Sequence, residues 1–261
     1  MPLVEGAWSK EPCYIIGGGA SLKGLDFSKL KGKSNKIVIN RAWKDVYDAD
    51  IWFSEDHRVI TDLWGKDPLF QAFKGMKVLH ALGPGIKDEA LKVDPTLHVI
   101  ERKREDKYWS RHFRDGLSMS SCSGVGAINI AWLLGADPIY LLGFDCRDDG
   151  NYLQNYHDDY KQQGWDWMTG GNNASVFKSD MELWVAVHTR DRRIVNLINP
   201  KLPSAVECWP RVPLDWALCE SHEGVYLDPK AGLIGCKLCG FVPTGSVPAS
   251  MVADADRNRK C

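Results

Sequence analysis

Short, wholly apolar runs that stop abruptly at a small or polar residue recur along this 261-residue chain, and they restrict its fold more than any other feature. Residues 13–16, Lys36 to Asn40, Asp50 to Ser54, Lys77 to Ala81, Leu97 to Ile100, Pro138 to Asp145 and Arg193 to Ile198 all read as such strands. Strands this short and this continuously apolar belong in a sheet covered on both faces. Helical segments fall between them, at Gly126 to Leu134 and Asp180 to Thr189, with a short helical or turn segment at Leu25 to Leu30. The order strand, loop, helix, strand predicts an α/β fold: a doubly wound, mostly parallel, Rossmann-like sheet.

Two of the junctions share a design. Cys13-Tyr-Ile-Ile-Gly-Gly-Gly-Ala-Ser-Leu-Lys23 is a strand running into glycine, and Leu117-Ser-Met-Ser-Ser-Cys-Ser-Gly-Val-Gly126 leads into an apolar helix. Glycine and serine leave backbone N–H groups uncovered, and a helix N-terminus adds partial positive charge. Two such loops in one α/β sheet point to a phosphate-bearing ligand across its carboxyl edge. The first loop is not a GxGxxG fingerprint, because the third glycine of that spacing falls at Leu22. Gly32-Lys33-Ser34 is not a P-loop either, since the glycine required five positions earlier is Phe27. Candidate phosphate and nucleotide contacts are therefore Gly17, Gly18, Gly19 and Ser21 from the first loop, and Ser120, Ser121, Ser123 and Gly124 from the second. Asn40, Ser54 and Asp145 stand at the carboxyl ends of strands, where open α/β sheets bind ligands. Each of these three side chains also suits a helix cap.

The segment from Cys146 to Asn173 is polar, aromatic and glycine-rich, too long for an ordinary connection, and reads as a lid or binding loop. Within it, His157 is flanked by carboxylates and suits a general base near neutral pH. Asp145 joins His157 as a catalytic candidate, and with Asp148 and Asp149 it offers ligands for Mg²⁺, although such loops are often plain solvated turns.

From residue 218 the composition changes. Cys219-x2-His222-x13-Cys236-x2-Cys239 is two ligand pairs separated by a hairpin-length spacer, with Gly224, Gly235 and Gly240 for the turns. That pattern predicts a structural, four-coordinate Zn²⁺ site. Residues 1–217 are assigned to a nucleotide-donor-binding domain, 218–246 to a zinc-ribbon-like module and 247–261 to a flexible tail. The net charge of −1 gives no global basic field, so any nucleic-acid contact must be local, with Arg102-Lys103-Arg104-Glu105-Asp106-Lys107 as the candidate. No apolar run reaches the roughly 18 residues that cross a bilayer, and Met1-Pro-Leu-Val-Glu-Gly lacks a signal-peptide pattern, so the expectation is a cytoplasmic protein without a membrane partner. The eleven tryptophans are expected chiefly in the core.

The glycine loop, the strand ending at Asn40-Arg41, the Ser-Gly stretch before an apolar helix and Ile-Tyr-Leu-Leu-Gly-Phe-Asp145 together resemble a known family. It comprises the bacterial sialyltransferases that use CMP-sialic acid, and a wider group of hydroxymethylpterin diphosphokinase-like proteins with phage-encoded relatives. The similarity spans roughly residues 12–215 and leaves out the cysteine-rich segment. It implies that Gly17 to Ser21 wrap a nucleotide phosphate, that Asn40 contacts the nucleotide or its sugar, and that Ser120, Ser121, Ser123 and Gly124 hold the phosphate and donor. Ser54 stands where the sialyltransferases tend to have Asn, and Ala20 where they have proline. His157 lies in the region that supplies their histidine base. The implied activity is sugar transfer from a nucleotide-sugar to an acceptor hydroxyl. The phage side of the resemblance implies a hydroxymethylated DNA base as acceptor. Two alternatives stay open at this point: ATP-dependent, Mg²⁺-assisted pyrophosphokinase chemistry, and nucleotide binding without turnover.

Overall fold

The computed structural model describes residues 3–33, 35–81, 83, 85–102, 108–118, 122–147, 155–156, 173–197, 204–209, 211–212, 214–218, 225–228 and 233–236. Seven parallel strands form the main sheet: β1 (Cys13–Ile16), β2 (Lys36–Ile39), β3 (Ile51–Ser54), β4 (Met76–Ala81), β5 (His98–Glu101), β6 (Ile139–Leu142) and β7 (Ile194–Asn196). Their order is β5-β4-β3-β2-β1-β6-β7, all parallel, where the sequence had left room for an antiparallel member. The chain builds outward from β1 to β5 in one direction, then crosses back to lay β6 and β7 on the other side of β1. The direction therefore reverses between β1 and β6.

Alternation sorts the strand residues onto two faces. Tyr14, Ile16, Val38, Trp52, Leu79 and Tyr140 belong to one core, filled by Trp43, Trp64 and Phe70. Trp64 closes a π-helical turn (Val59–Trp64), and Phe70 comes from α1 (Pro68–Gln71). Cys13, Ile15, Ile37, Phe53, Val78, Ile139 and Leu141 belong to the other core, beneath α3 (Ser123–Leu133); α2 (Ile86–Val93) precedes β5. Several of the tryptophans do pack as the sequence suggested, with Trp52 meeting Phe70 edge-on at 4.9 Å between centroids.

α3 is apolar on every side and buried along almost its whole length, as a helix enclosed in the fold should be. Its one buried amide is fully used: Asn129 accepts from Ser118 N–H at 2.9 Å and donates to the Ser110 carbonyl at 3.0 Å. The last carbonyls of the helix are met by the N-terminal segment, where Gly6, Trp8 and Lys10 N–H groups reach the Leu133, Leu134 and Gly135 oxygens. α3 begins three residues before the glycine at which the sequence placed it, so Ser123 and Gly124 lie in its first turn.

Two other boundaries differ from expectation. β6 stops at Leu142, because Gly143 adopts φ +71° and turns the chain, so Asp145 lies three residues past the strand. The helix expected from Asp180 begins earlier, as α4 (Asn173–Asp180), and continues through a π-helical turn (Met181–Val185) into Ala186–His188. Beyond α5 (Leu214–Leu218), β8 (Val225–Asp228) and β9 (Leu233–Cys236) form a separate antiparallel pair. Among the described residues no helix is long and apolar enough to cross a membrane.

Candidate functional site

The glycine loop leaves the carboxyl end of β1 and runs alongside the exit of β6. Gly17 N–H donates to the Leu142 carbonyl at 2.8 Å and Gly19 N–H to the Gly143 carbonyl at 2.9 Å. Ser21 N–H then donates to Asp145 Oδ2 at 2.7 Å. The loop is thereby zipped to the β6 exit, with a carboxylate closing the zip. This accounts for two of the three glycines. A Cβ on Gly19 would lie 2.6 Å from both Asp145 Oδ2 and the Gly143 carbonyl, and one on Gly17 would lie 3.0 Å from that same carbonyl. Gly18 is different: its nearest neighbour would be the Asn155 amide oxygen at 3.2 Å. Close packing does not demand a glycine there.

Asp145 is almost fully buried, and its geometry is that of a staple joining two loops. Asp148 and Asp149 lie outside the described residues, as do Ser120, Ser121 and His157. The sequence neighbours of His157 are held at the loop. Asn155 pairs in antiparallel fashion with Gly19, and Tyr156 N–H donates to the Gly18 carbonyl at 3.1 Å. The Tyr156 hydroxyl donates to Asp45 Oδ2 at 2.7 Å and accepts from Arg41 at 3.1 Å, while its ring packs 5.9 Å from that of Phe27. Arg41 also pairs with Asp45. Burial, with the Asp45 carboxylate adding to it, pushes the Tyr156 phenol well above its ordinary range. Asn155 and Tyr156 thus lie across the residues that follow β1 and β2.

Asn40 follows β2 with φ +49°, a conformation asparagine tolerates better than most residues. Its carbonyl accepts the Trp52 indole N–H at 2.8 Å. Its Oδ1 and the Ser21 hydroxyl are both buried with no hydrogen-bond partner among the described residues. Buried polar atoms ordinarily find partners, so these two mark where a ligand is expected to supply them. Ser54 does not share this property. It is buried, and its hydroxyl accepts from Asp56 N–H at 2.9 Å and donates back to the Asp56 carbonyl at 3.2 Å. Its hydroxyl belongs to a local turn.

The second loop reaches the same edge. Ser123 Oγ accepts the Glu55 N–H at 3.1 Å, which pins the start of α3 to the exit of β3. Gly124 and Gly17 pack on one phenyl ring: their Cβ positions would lie 2.9 and 3.4 Å from Phe144, the residue between Gly143 and Asp145. Gly17 of the first loop and Gly124 of the first turn of α3 therefore both pack on Phe144, where the strand order reverses. The N-terminus of α3 opens onto that edge.

One group escaped the sequence reading. Glu55, directly after β3, and His80, within β4, are both buried, with Glu55 Oε1 3.4 Å from His80 Nδ1. Burial raises the Glu55 pKa, opposed by His80 and reinforced by the negative charge of Asp180. Cys122 sits beside them, its thiol pushed up to about 12, first by burial and then by Glu55. The signal was in the alternation: Val78 points into a core, so His80 two residues on must do so too, and a buried histidine needs a partner.

Of the predicted zinc ligands, Cys219, His222 and Cys239 lie outside the described residues, and Cys236 ends β9. β8 and β9 pair antiparallel within the stretch from His222 to Cys236. Among the described residues no group of three or more His, Cys, Asp or Glu side chains is placed to hold a metal. Neither a comparison with protein-family models nor one with curated protein sequences finds a match to this chain.

Proposed function

We propose that the chain is a nucleotide-dependent group transferase, with a sugar carried by a nucleotide as the transferred group. The observation that supports this most is the meeting of the glycine loop and the α3 N-terminus around Phe144, at the reversal point of a parallel sheet. Because Asp145 already occupies the Ser21 N–H, the donor phosphate belongs nearer to Gly18 and the first turn of α3 than to residues 19–21. Asn40 Oδ1 would accept a hydrogen bond from the nucleotide and the Ser21 hydroxyl would donate or accept one, relieving two buried, unpaired atoms. Asp145 acts here as a positioning residue that shapes the loop.

In the reaction, an acceptor hydroxyl attacks the anomeric carbon and its proton passes to His157. The bond from that carbon to the phosphate oxygen breaks, and its electron pair leaves with the nucleotide. The helix dipole and loop N–H groups stabilise the departing charge. The Rossmann-like domain would carry this chemistry, and Cys219, His222, Cys236 and Cys239 would hold a Zn²⁺ whose part is structural. A hydroxymethylated base in DNA fits as acceptor, with the zinc module helping to hold the polymer.

The test is a thermal-shift screen against CMP-, UDP-, GDP- and ADP-linked donors. A ligand at 100 times its Kd stabilises by about 2.7 kcal/mol, a rise of roughly 5–10 °C for a chain of this size. One base class is expected to give that rise, and no shift with any donor would reject the reading. His157→Ala is expected to keep the shift and lose turnover, whereas a variant that keeps turnover removes His157 from the mechanism.

A further inference from the structure

Titratable side chains from several elements meet beneath the first turn of α3. Glu55 comes from the exit of β3, His80 from β4 and Cys122 from the residue before α3; the charge of Asp180, at the end of α4, is felt by Glu55 and Cys122, and Cys146 is coupled electrostatically to Cys122. The arrangement is built into the backbone. A Cβ at position 126 would lie 2.7 Å from Glu55 Oε1 and 2.7 Å from the Phe53 ring, so only glycine lets the carboxyl group sit under the helix. The Glu55 N–H holds Ser123, in the first turn of α3, through its hydroxyl. His80 is 0% exposed; its Nδ1 faces Glu55, and its Nε2 has no hydrogen-bond partner among the described residues. An apolar side chain of similar volume would fill this space at lower cost, since buried ionisable pairs are weak sources of stability. Packing alone gives no reason for the pair.

Its position does. The N-terminus of α3 carries about half a positive charge, which an ionised Glu55 directly beneath it would partly cancel. Resting on the reading that this helix end takes the ligand's phosphate, we propose that Glu55 and His80 form a proton-holding pair that positions the first turn of α3 and keeps a proton when the anionic ligand binds. With one proton between them the pair is neutral, whichever residue holds it. Without that proton it adds a negative charge beneath the ligand site. At a separation of about 12 Å and an effective dielectric of about 20, such a charge lowers affinity for each unit of anionic charge on the order of tenfold. Asp180 pushes the same way by favouring the protonated form of Glu55, and burial keeps the Cys122 thiol neutral. Glu55 and His80 are positioning residues: the ligand meets the helix, and the pair sets the charge behind it.

The sign follows directly. Anion binding favours the protonated pair, so affinity is full at low pH and falls as pH rises through the pair's apparent pKa. The test is calorimetric titration with UDP, CDP, GDP and ADP between about pH 5.5 and 9, on the wild type and Glu55→Gln. Ionisation of the nucleotide itself affects both proteins alike, so the readout is the ratio of their Kd values. That ratio is expected near one at low pH and about tenfold in favour of Glu55→Gln at high pH. A ratio independent of pH overturns the proposal while leaving the ligand site intact. No binding by the wild type at any pH removes both. A second measurement needs no variant: at about pH 8, where a nucleoside diphosphate is fully ionised, titrations in buffers of different ionisation enthalpy are expected to show proton uptake by the protein. Zero uptake across the pH range overturns the proposal.

Discussion

Replacing Gly19 by alanine isolates the claim that the glycine loop is shaped by the exit of β6. The backbone at Gly19 has φ −64° and ψ 151°, which alanine adopts without strain, so any effect must come from the added methyl. That methyl would lie 2.6 Å from Asp145 Oδ2 and 2.6 Å from the Gly143 carbonyl. Neither oxygen is free to retreat: Gly143 accepts the Gly19 N–H and Asp145 accepts the Ser21 N–H. Overpacking of this kind costs about 1–3 kcal/mol, and the smaller entropy of the unfolded alanine chain returns roughly 0.4–1 kcal/mol. At about 2–4 °C per kcal/mol, Gly19→Ala is expected to melt on the order of 5 °C below the wild type. Gly18→Ala is the internal control. Its methyl would meet only the Asn155 side chain at 3.2 Å, which can rotate away, so its melting temperature should match the wild type or exceed it by a few degrees. Its effect should fall on the ligand instead, weakening nucleotide binding roughly tenfold because the backbone could no longer be approached closely. Differential scanning fluorimetry and calorimetric titration measure the two effects separately. Equal melting temperatures for Gly19→Ala and the wild type would refute the packing argument.

Two further outcomes follow from the same structure. Lys77 and Asp94 form a buried ion pair of 2.6 Å with side chains only 5% and 3% exposed. Asp94→Ala is expected to cost about 3–5 kcal/mol by leaving the ammonium buried alone, read by chemical denaturation. Burial opposes ionisation of Asp94, yet Lys77 and Thr96 prevail and hold its pKa below the ordinary value. Its contribution is therefore complete above about pH 4 and lost as pH falls through the depressed value; a stability gap to Asp94→Asn that stayed constant down to strong acid would contradict this. For the C-terminal segment, elemental analysis of the purified chain should find about one zinc per molecule, and Cys236→Ser should lose it; a zinc content that the substitution leaves unchanged would remove Cys236 from the ligand set.

The sheet was legible because its strands are mostly apolar and each is short enough to be bounded by its own punctuation. The run Cys13 to Ile16 and the strand ending at Asn40 were placed to within a residue. The ends of β6 and α3 were less legible, since Phe144 and Asp145 continue an apolar pattern that Gly143 breaks by its left-handed conformation. The purpose of the glycines was only half visible. Composition shows that residues 17–19 lack side chains, but not that the Gly143 carbonyl fills the space beside two of them and the Asp145 carboxylate the space beside Gly19. Ser54 illustrates the converse: a strand-end serine reads equally as ligand contact or turn, and the Asp56 backbone decides between them. Glu55 and His80 stand 25 residues apart on neighbouring strands, so their pairing depends on strand order, which no local pattern records.

The most direct test of the ligand site is a crystal structure with a bound nucleoside diphosphate, chosen by its thermal shift. Its phosphate oxygens are expected within hydrogen-bond distance of backbone N–H groups near Gly18 or in the first turn of α3, with Asn40 reaching the nucleoside. A diphosphate bound away from the carboxyl edge of β1, β2 and β6 would contradict the account.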